Sequence, residues 1–125
     1  KGEGSSIGCE FQVLDNKLHS DANAGVNGNR MAGSLYDLIT AADRPTIKPG
    51  TWNKARIIVK GGHVEHWLNN KKVVEYDRHS QMFKSLVAYS KYAKYKGFGT
   101  ADSGRILLQD HGNAVSYRSI KIREF

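Results

Sequence analysis

The sequence predicts an all-β fold, an antiparallel β-sandwich, on three observations. Residues 54–76 spell out a three-strand meander whose turns are two glycines and two asparagines. Elsewhere, short strand-like runs are separated by clusters of Gly, Asn, Asp and Ser. A single brief helical pattern interrupts them at 80–89. Many short strands with turns between them bury their apolar faces by stacking sheets, whereas a wound α/β fold needs a helix after each strand.

Residues 1–6, rich in Gly and Ser, read as a loop. Over 7–14, Cys9, Phe11 and Val13 alternate with Glu10, Gln12 and Leu14, the period of a half-buried strand. Residues 15–30 are a long polar excursion, and loops of that length in a compact domain are usually functional or poorly ordered. Strand character returns over 34–39, and 43–50 turns through Pro45 and Pro49. The run 54–60 is β-branched, and Gly61-Gly62 turns it, because glycine reaches positive φ without steric penalty. Asn69-Asn70 makes the second turn. In the strand between them, alternation sends Val64, His66 and Leu68 to one face and His63, Glu65 and Trp67 to the other. The first face belongs to the core. The second sets a carboxylate beside an indole, a pairing suited to gripping a sugar ring; a solvated carboxylate beside a half-buried Trp is the plainer reading. In the helix, Met82, Leu86 and Tyr89 fall at helical spacing with Phe83 and Val87 beside them, a stripe for core packing. Residues 91–104 form a loop, 105–109 a strand, 110–113 a turn and 114–124 the last strand. With no repeat, linker or low-complexity tract, residues 1–125 read as a single β-sandwich domain. Six or seven strands are few for a sandwich with a ligand-bearing sheet.

A net charge of +7, from 19 Lys and Arg against 12 Asp and Glu, raises nucleic-acid binding. The cations are spread along the chain, however, and 91–96 (Lys-Tyr-Ala-Lys-Tyr-Lys) is the best basic-aromatic patch it offers. A solvated basic surface is the better account, so nucleic acid is not an expected partner. The lone Cys9 excludes an intrachain disulfide framework and reads as a small core residue. No apolar run approaches the roughly 20 residues of a membrane span.

Three strands share a division into an apolar and a hydrogen-bonding face. The first presents Glu10 and Gln12, the second Glu65 and Trp67, the third Gln109 and then His111. On one curved sheet these faces converge on a groove with carboxylates, carboxamides, an imidazole and an aromatic platform. Sugars offer hydroxyls at the ring edge and C–H groups on the ring faces, which such side chains match. His19 and Asp21, two apart in the long loop, either bind a metal or order that loop. Asp110 also suits capping its own turn. There is no Gly-x-Ser-x-Gly elbow, phosphate loop or cysteine-based zinc spacing. No cofactor is expected, with a divalent metal left open.

One ordered set of segments is familiar. Cys9-Glu10-Phe11-Gln12-Val13-Leu14-Asp15, His19-x-Asp21, Gly33-Ser34-Leu35-Tyr36-Asp37, Trp52-Asn53-x-x-Arg56, Glu65-His66-Trp67-Leu68-Asn69, Gly97-Phe98-Gly99 and Leu108-Gln109-Asp110-His111-Gly112 follow one another, and Tyr117-Arg118-Ser119-Ile120-Lys121-Ile122 closes the chain. Together they resemble the 3-keto-disaccharide hydrolase family. The resemblance implies a concanavalin A-like jelly roll, two antiparallel sheets with a sugar site on the concave face. It also implies cleavage of glycosides whose sugar carries a C3 ketone, by bacterial proteins that are periplasmic or secreted. Family members begin with several more strands. The resemblance therefore implies the C-terminal part of a longer jelly roll, with the remaining strands in the same chain or in a second chain or fragment. Asn70 stands where the family has Gly, and Ser119 where it has Asn.

On that reading the catalytic candidates are Glu10, Glu65 and His111: Glu65 or Glu10 as base, His111 as proton donor or enolate stabiliser. Gln12 and Gln109 position the substrate, Trp67 stacks on it, Asp15, His19 and Tyr36 line the rim, and Arg118 meets ring hydroxyls. A non-catalytic carbohydrate-binding module on the same sandwich, an ordinary glucanase and a groove completed by a partner chain are the rivals.

Overall fold

Residues 55–77 form the sheet on which the rest of the chain rests. The computed structural model describes residues 7–43, 46–110 and 112–124. Strands β1 (Ala55–Lys60), β2 (His63–Leu68) and β3 (Lys71–Asp77) pair antiparallel in sequence order. Lys60 faces His63, leaving Gly61 and Gly62 as a two-residue turn, and Leu68 faces Lys71 around Asn69 and Asn70. Asn69 and Asn70 both adopt left-handed backbone, φ 49° and 67°, as a mirror-image hairpin turn demands. Asn69 also ties the hairpin to the approach to β1: it exchanges backbone and carboxamide bonds of 2.8 Å each with Lys54.

The predicted alternation on β2 holds. Val64, His66 and Leu68 are buried, His66 to 2% exposure, while His63, Glu65 and Trp67 take the outer face. The β2–β3 register slips between His66 and Trp67, so one extra β3 residue lies across the slip and the consecutive Val73 and Val74 are both buried.

Over the inner face lies a layer of residues 7–43 that is not the pair of strands the sequence predicts. Only isolated bridges form, Phe11 to Leu35 and Leu35 to Ile39. Gly33 at φ 85° and Asp37 at φ 63° fold the backbone back on itself and interrupt extension. The layer is stitched to the sheet by the Ala42 N–H, which donates to the Val73 carbonyl at 2.7 Å. His66 Nδ1 meets the Gly33 carbonyl at 3.0 Å, and the Phe11 and His66 rings lie 4.9 Å apart.

Helix α1 (Gln81–Ala88) starts at Ser80, whose hydroxyl caps it by accepting from the Phe83 N–H. The buried stripe is Phe83 with Leu86 and Val87 packed behind it. This corrects the predicted stripe: Met82 is 54% and Tyr89 94% exposed. Both spacings are helical, and Phe83 wins because it stacks on Tyr76 of β3 at 5.4 Å.

Two further expectations are corrected. Cys9 is exposed as a residue, although its thiol faces Tyr76 and burial pushes that thiol's pKa up. Residues 104–110 and 112–124 are exposed and belong to no strand. Alternation there reports extended backbone, which becomes a strand only when a neighbouring ladder supplies partners. Among the described residues, no helix is long and apolar enough to cross a membrane.

Candidate functional site

The Phe11–Leu35 bridge positions the most promising chemistry. Leu35 is sealed in the core, and Phe11 packs against it. The residues flanking the bridge therefore turn to the other side. There the Tyr36 N–H donates to the Glu10 carbonyl at 3.0 Å, setting Glu10 and Tyr36 side by side. Burial and the bond it donates to Asp21 push the Tyr36 phenol up to about 12, so it stays a donor at neutral pH. Lys91 holds its ammonium 4.1 Å from the Tyr36 ring centroid and 3.8 Å from Asp37.

Arg30 organises this side. Its guanidinium donates to Asp21 at 2.8 Å and to Asp37 at 2.6 Å, with all three side chains mostly shielded. Burial opposes ionisation of Asp21, but the bonds from Arg30 and Tyr36 win and hold its carboxyl below the usual range. The sequence reading missed Arg30, Asp37 and Lys91. One signal was there: Arg30 is the only Lys or Arg between Leu18 and Asp43, with an aspartate on either side.

The predicted rim residues gather on the same layer in other roles. His19 Nδ1 accepts from the Asp21 N–H at 3.1 Å and starts the 3-10 turn Ser20–Asn23, so His19 and Asp21 order the loop. A cleft of about 370 Å³ opens beside them, lined by His19, Ser20, Asp21, Ala24 and Asn113. Asp15 accepts from the Lys17 and Leu18 N–H groups. The Tyr117 hydroxyl donates to the Gln109 carbonyl at 2.9 Å, and burial, then Asp110 and Glu10, raise its pKa. Glu10 and Tyr117 are thus within electrostatic reach. His111 lies outside the described residues.

Four candidates stand apart. Gln12 is buried, with its amide oxygen accepting from the Val13 N–H at 3.0 Å. Arg118 stacks over Trp52, 4.0 Å from the ring centroid. Glu65 and Trp67 lie across the sheet: alternation points them away from His66, and it is on His66 that the Glu10 segment packs. The single groove joining Glu10, Glu65 and Gln109 is therefore not formed. On the outer face the Trp67 indole N–H donates to Glu65 at 2.7 Å and, with His63 and Lys72, keeps that carboxyl below the usual range. Trp67 also borders a shallow hollow with Lys54, Arg56 and Asn70. The 91–96 patch folds as the 3-10 turn Lys91–Lys94, with Tyr92 buried on Phe98, ring centroids 4.1 Å apart.

Fold and site thus define an all-β domain of the jelly-roll class with one polar, carboxylate-bearing side. A family model described as a 3-keto-alpha-glucoside-1,2-lyase-like domain matches residues 1–123, and the chain belongs to that family. It is similar to the 3-keto-disaccharide hydrolase of Bacteroides thetaiotaomicron, 38% identical across 91% of this chain. It spans only 43% of that protein's length. A solved structure, a proposed glycosyl hydrolase from Parabacteroides distasonis, superposes with a TM-score of 0.64 at 25% identity, covering 74% of this chain and 45% of its own.

Proposed function

We propose that this domain serves the cleavage of glycosides whose sugar carries a ketone at C3. The observation that carries the reading is the family match over residues 1–123, and the name of the Bacteroides relative supports it. A C3 ketone acidifies the C2 proton, because the carbanion left behind delocalises as an enolate. A base takes that proton, the enolate collapses, and the C1 oxygen leaves with a proton from an acid. Water then adds across the resulting enone, completing net hydrolysis.

Glu10 is the base in this scheme. It shares a side with Tyr36, whose phenol remains protonated, and Lys91 brings a cation to within 4.1 Å of that ring. The ammonium suits the C3 oxygen, where negative charge develops, and the phenol, bonded to Asp21, lines the same side. His111 is the acid at the leaving oxygen, on the family resemblance alone. Asp15, His19 and Gln109 complete the sugar-facing rim, while Arg118 stays on Trp52. An exported location, periplasmic or secreted, goes with the reading.

The test is release of 3-keto-glucose from a 3-keto-glucoside by the protein that carries this chain. Glu10→Gln lowers turnover by about 10²–10⁴-fold, the usual contribution of a proton-transfer residue, with the melting curve unchanged. Glu65→Gln keeps most of the activity. Near-normal turnover in the Glu10 variant removes Glu10 from the mechanism, and binding without product identifies a carbohydrate-binding module.

A further inference from the structure

We propose that His63, Glu65 and Glu75 bind one divalent transition-metal ion, zinc fitting best, on the outer face of the sheet. The inference stands apart from the glycoside reading, because it uses no residue of the Glu10 side. Strand register carries it first. Glu65 faces Glu75 across β2 and β3, and His63 precedes Glu65 by two residues, so all three project from one face. Spacing carries it further. His63 Nε2 lies 3.4 Å from an oxygen of Glu65 and 3.4 Å from one of Glu75. One ligand atom from each residue falls within 4.8 Å of the others. A tetrahedral ion with bonds of about 2.1 Å has ligand–ligand edges of about 3.4 Å, so two edges already match.

Orientation is the third argument. The Trp67 indole holds Glu65 Oε2 at 2.7 Å, which leaves Oε1 as the atom turned to His63. Outer hydrogen bonds of this kind fix metal-binding carboxylates in metalloproteins. One imidazole with two carboxylates suits zinc or manganese, whereas calcium takes six to eight oxygens, about twice what these residues offer. Lys72 is the cation now on both carboxylates, 3.5 Å from Glu65 Oε1 and in direct contact with Glu75 Oε2. Its flexible stem lets it swing aside for a doubly charged ion. The fourth coordination position falls to water.

Calorimetric titration with zinc chloride at neutral pH tests this. One site per chain is expected, with His63→Ala and Glu75→Gln each weakening it by about tenfold or more. Lys72→Ala tightens binding, an effect no purely structural role of the cluster produces. Zinc also raises the melting temperature of the unaltered protein but not of the His63 variant, whose metal-free melt shows that it folds. Absence of saturable binding, or binding that survives both His63→Ala and Glu75→Gln, overturns the proposal.

Discussion

In the meander, residues 55–77, each strand pairs with its neighbour in sequence, and two-residue turns set the register. In the covering layer, residues 7–43, isolated backbone bridges are braced by side chains reaching across 6 to 16 positions. Arg30 joins Asp37 and Asp21, Asn16 accepts from the Ala32 N–H, and Ser34 bonds both the Gly28 carbonyl and the Ala41 N–H. Ladder bonds form one residue at a time, and losing one leaves its neighbours paired. A layer whose sparse bridges are braced by one guanidinium loosens when that group goes. The candidate site belongs to the second kind of structure, so its geometry depends on few atoms.

The largest expected effect therefore falls on Arg30. Arg30→Ala removes charged hydrogen bonds to two shielded aspartates and lowers stability by about 2 kcal/mol, read from urea midpoints. Arg30→Lys recovers less than half, since an ammonium cannot span both partners as a guanidinium fork does. Full recovery by lysine would erase the contrast with the meander.

Next comes the contact between the two regions, His66 against the Gly33 carbonyl. Burial lowers its pKa below the ordinary imidazole value, with the Gly33 bond opposing. Protons then favour the unfolded chain: stability is intact above the ordinary imidazole range and declines as pH falls through about 6.5 toward the folded value. Melting temperatures from pH 7.5 to 5 should fall, and His66→Phe should flatten that slope. An unchanged slope places the acid sensitivity elsewhere.

The smallest change is expected in the meander. Asn70 already sits at φ 67°, so Asn70→Gly relieves only residual left-handed strain and gains about 0.5 kcal/mol at most. A large gain would mean the hairpin turn is far from optimal.

The same contrast decides what the sequence made legible. Period-two alternation and a pair of turn residues are local signals, and they gave the faces of β2, both hairpins and the Ser80 start of the helix. The ring of Phe83 beat Met82 for the core through Tyr76, a partner on another element that no helical period reveals. Glu10 and Tyr36 were both named from the sequence, yet their adjacency depends on a bridge 24 positions apart, Phe11 to Leu35. Glu65 was grouped with them because polar faces of separate strands look alike until the sheet's inside is known. Arg30 went unnoticed because it lies in irregular loop, where no helical or strand period links it to Asp21 and Asp37.

Among the described residues β1 has a neighbour on one flank only, and Ile57 and Val59 are about half exposed. Bare amides and carbonyls along such a margin invite a strand from another molecule. Arg56 and Lys60 within it, and Lys54 just before, make two such margins repel one another. Near 1 M salt, where the screening length shrinks to about 3 Å, that guard is lost. Dilute buffer, rather than the brines often used to keep basic proteins dispersed, is the medium in which this molecule stays separate from its copies.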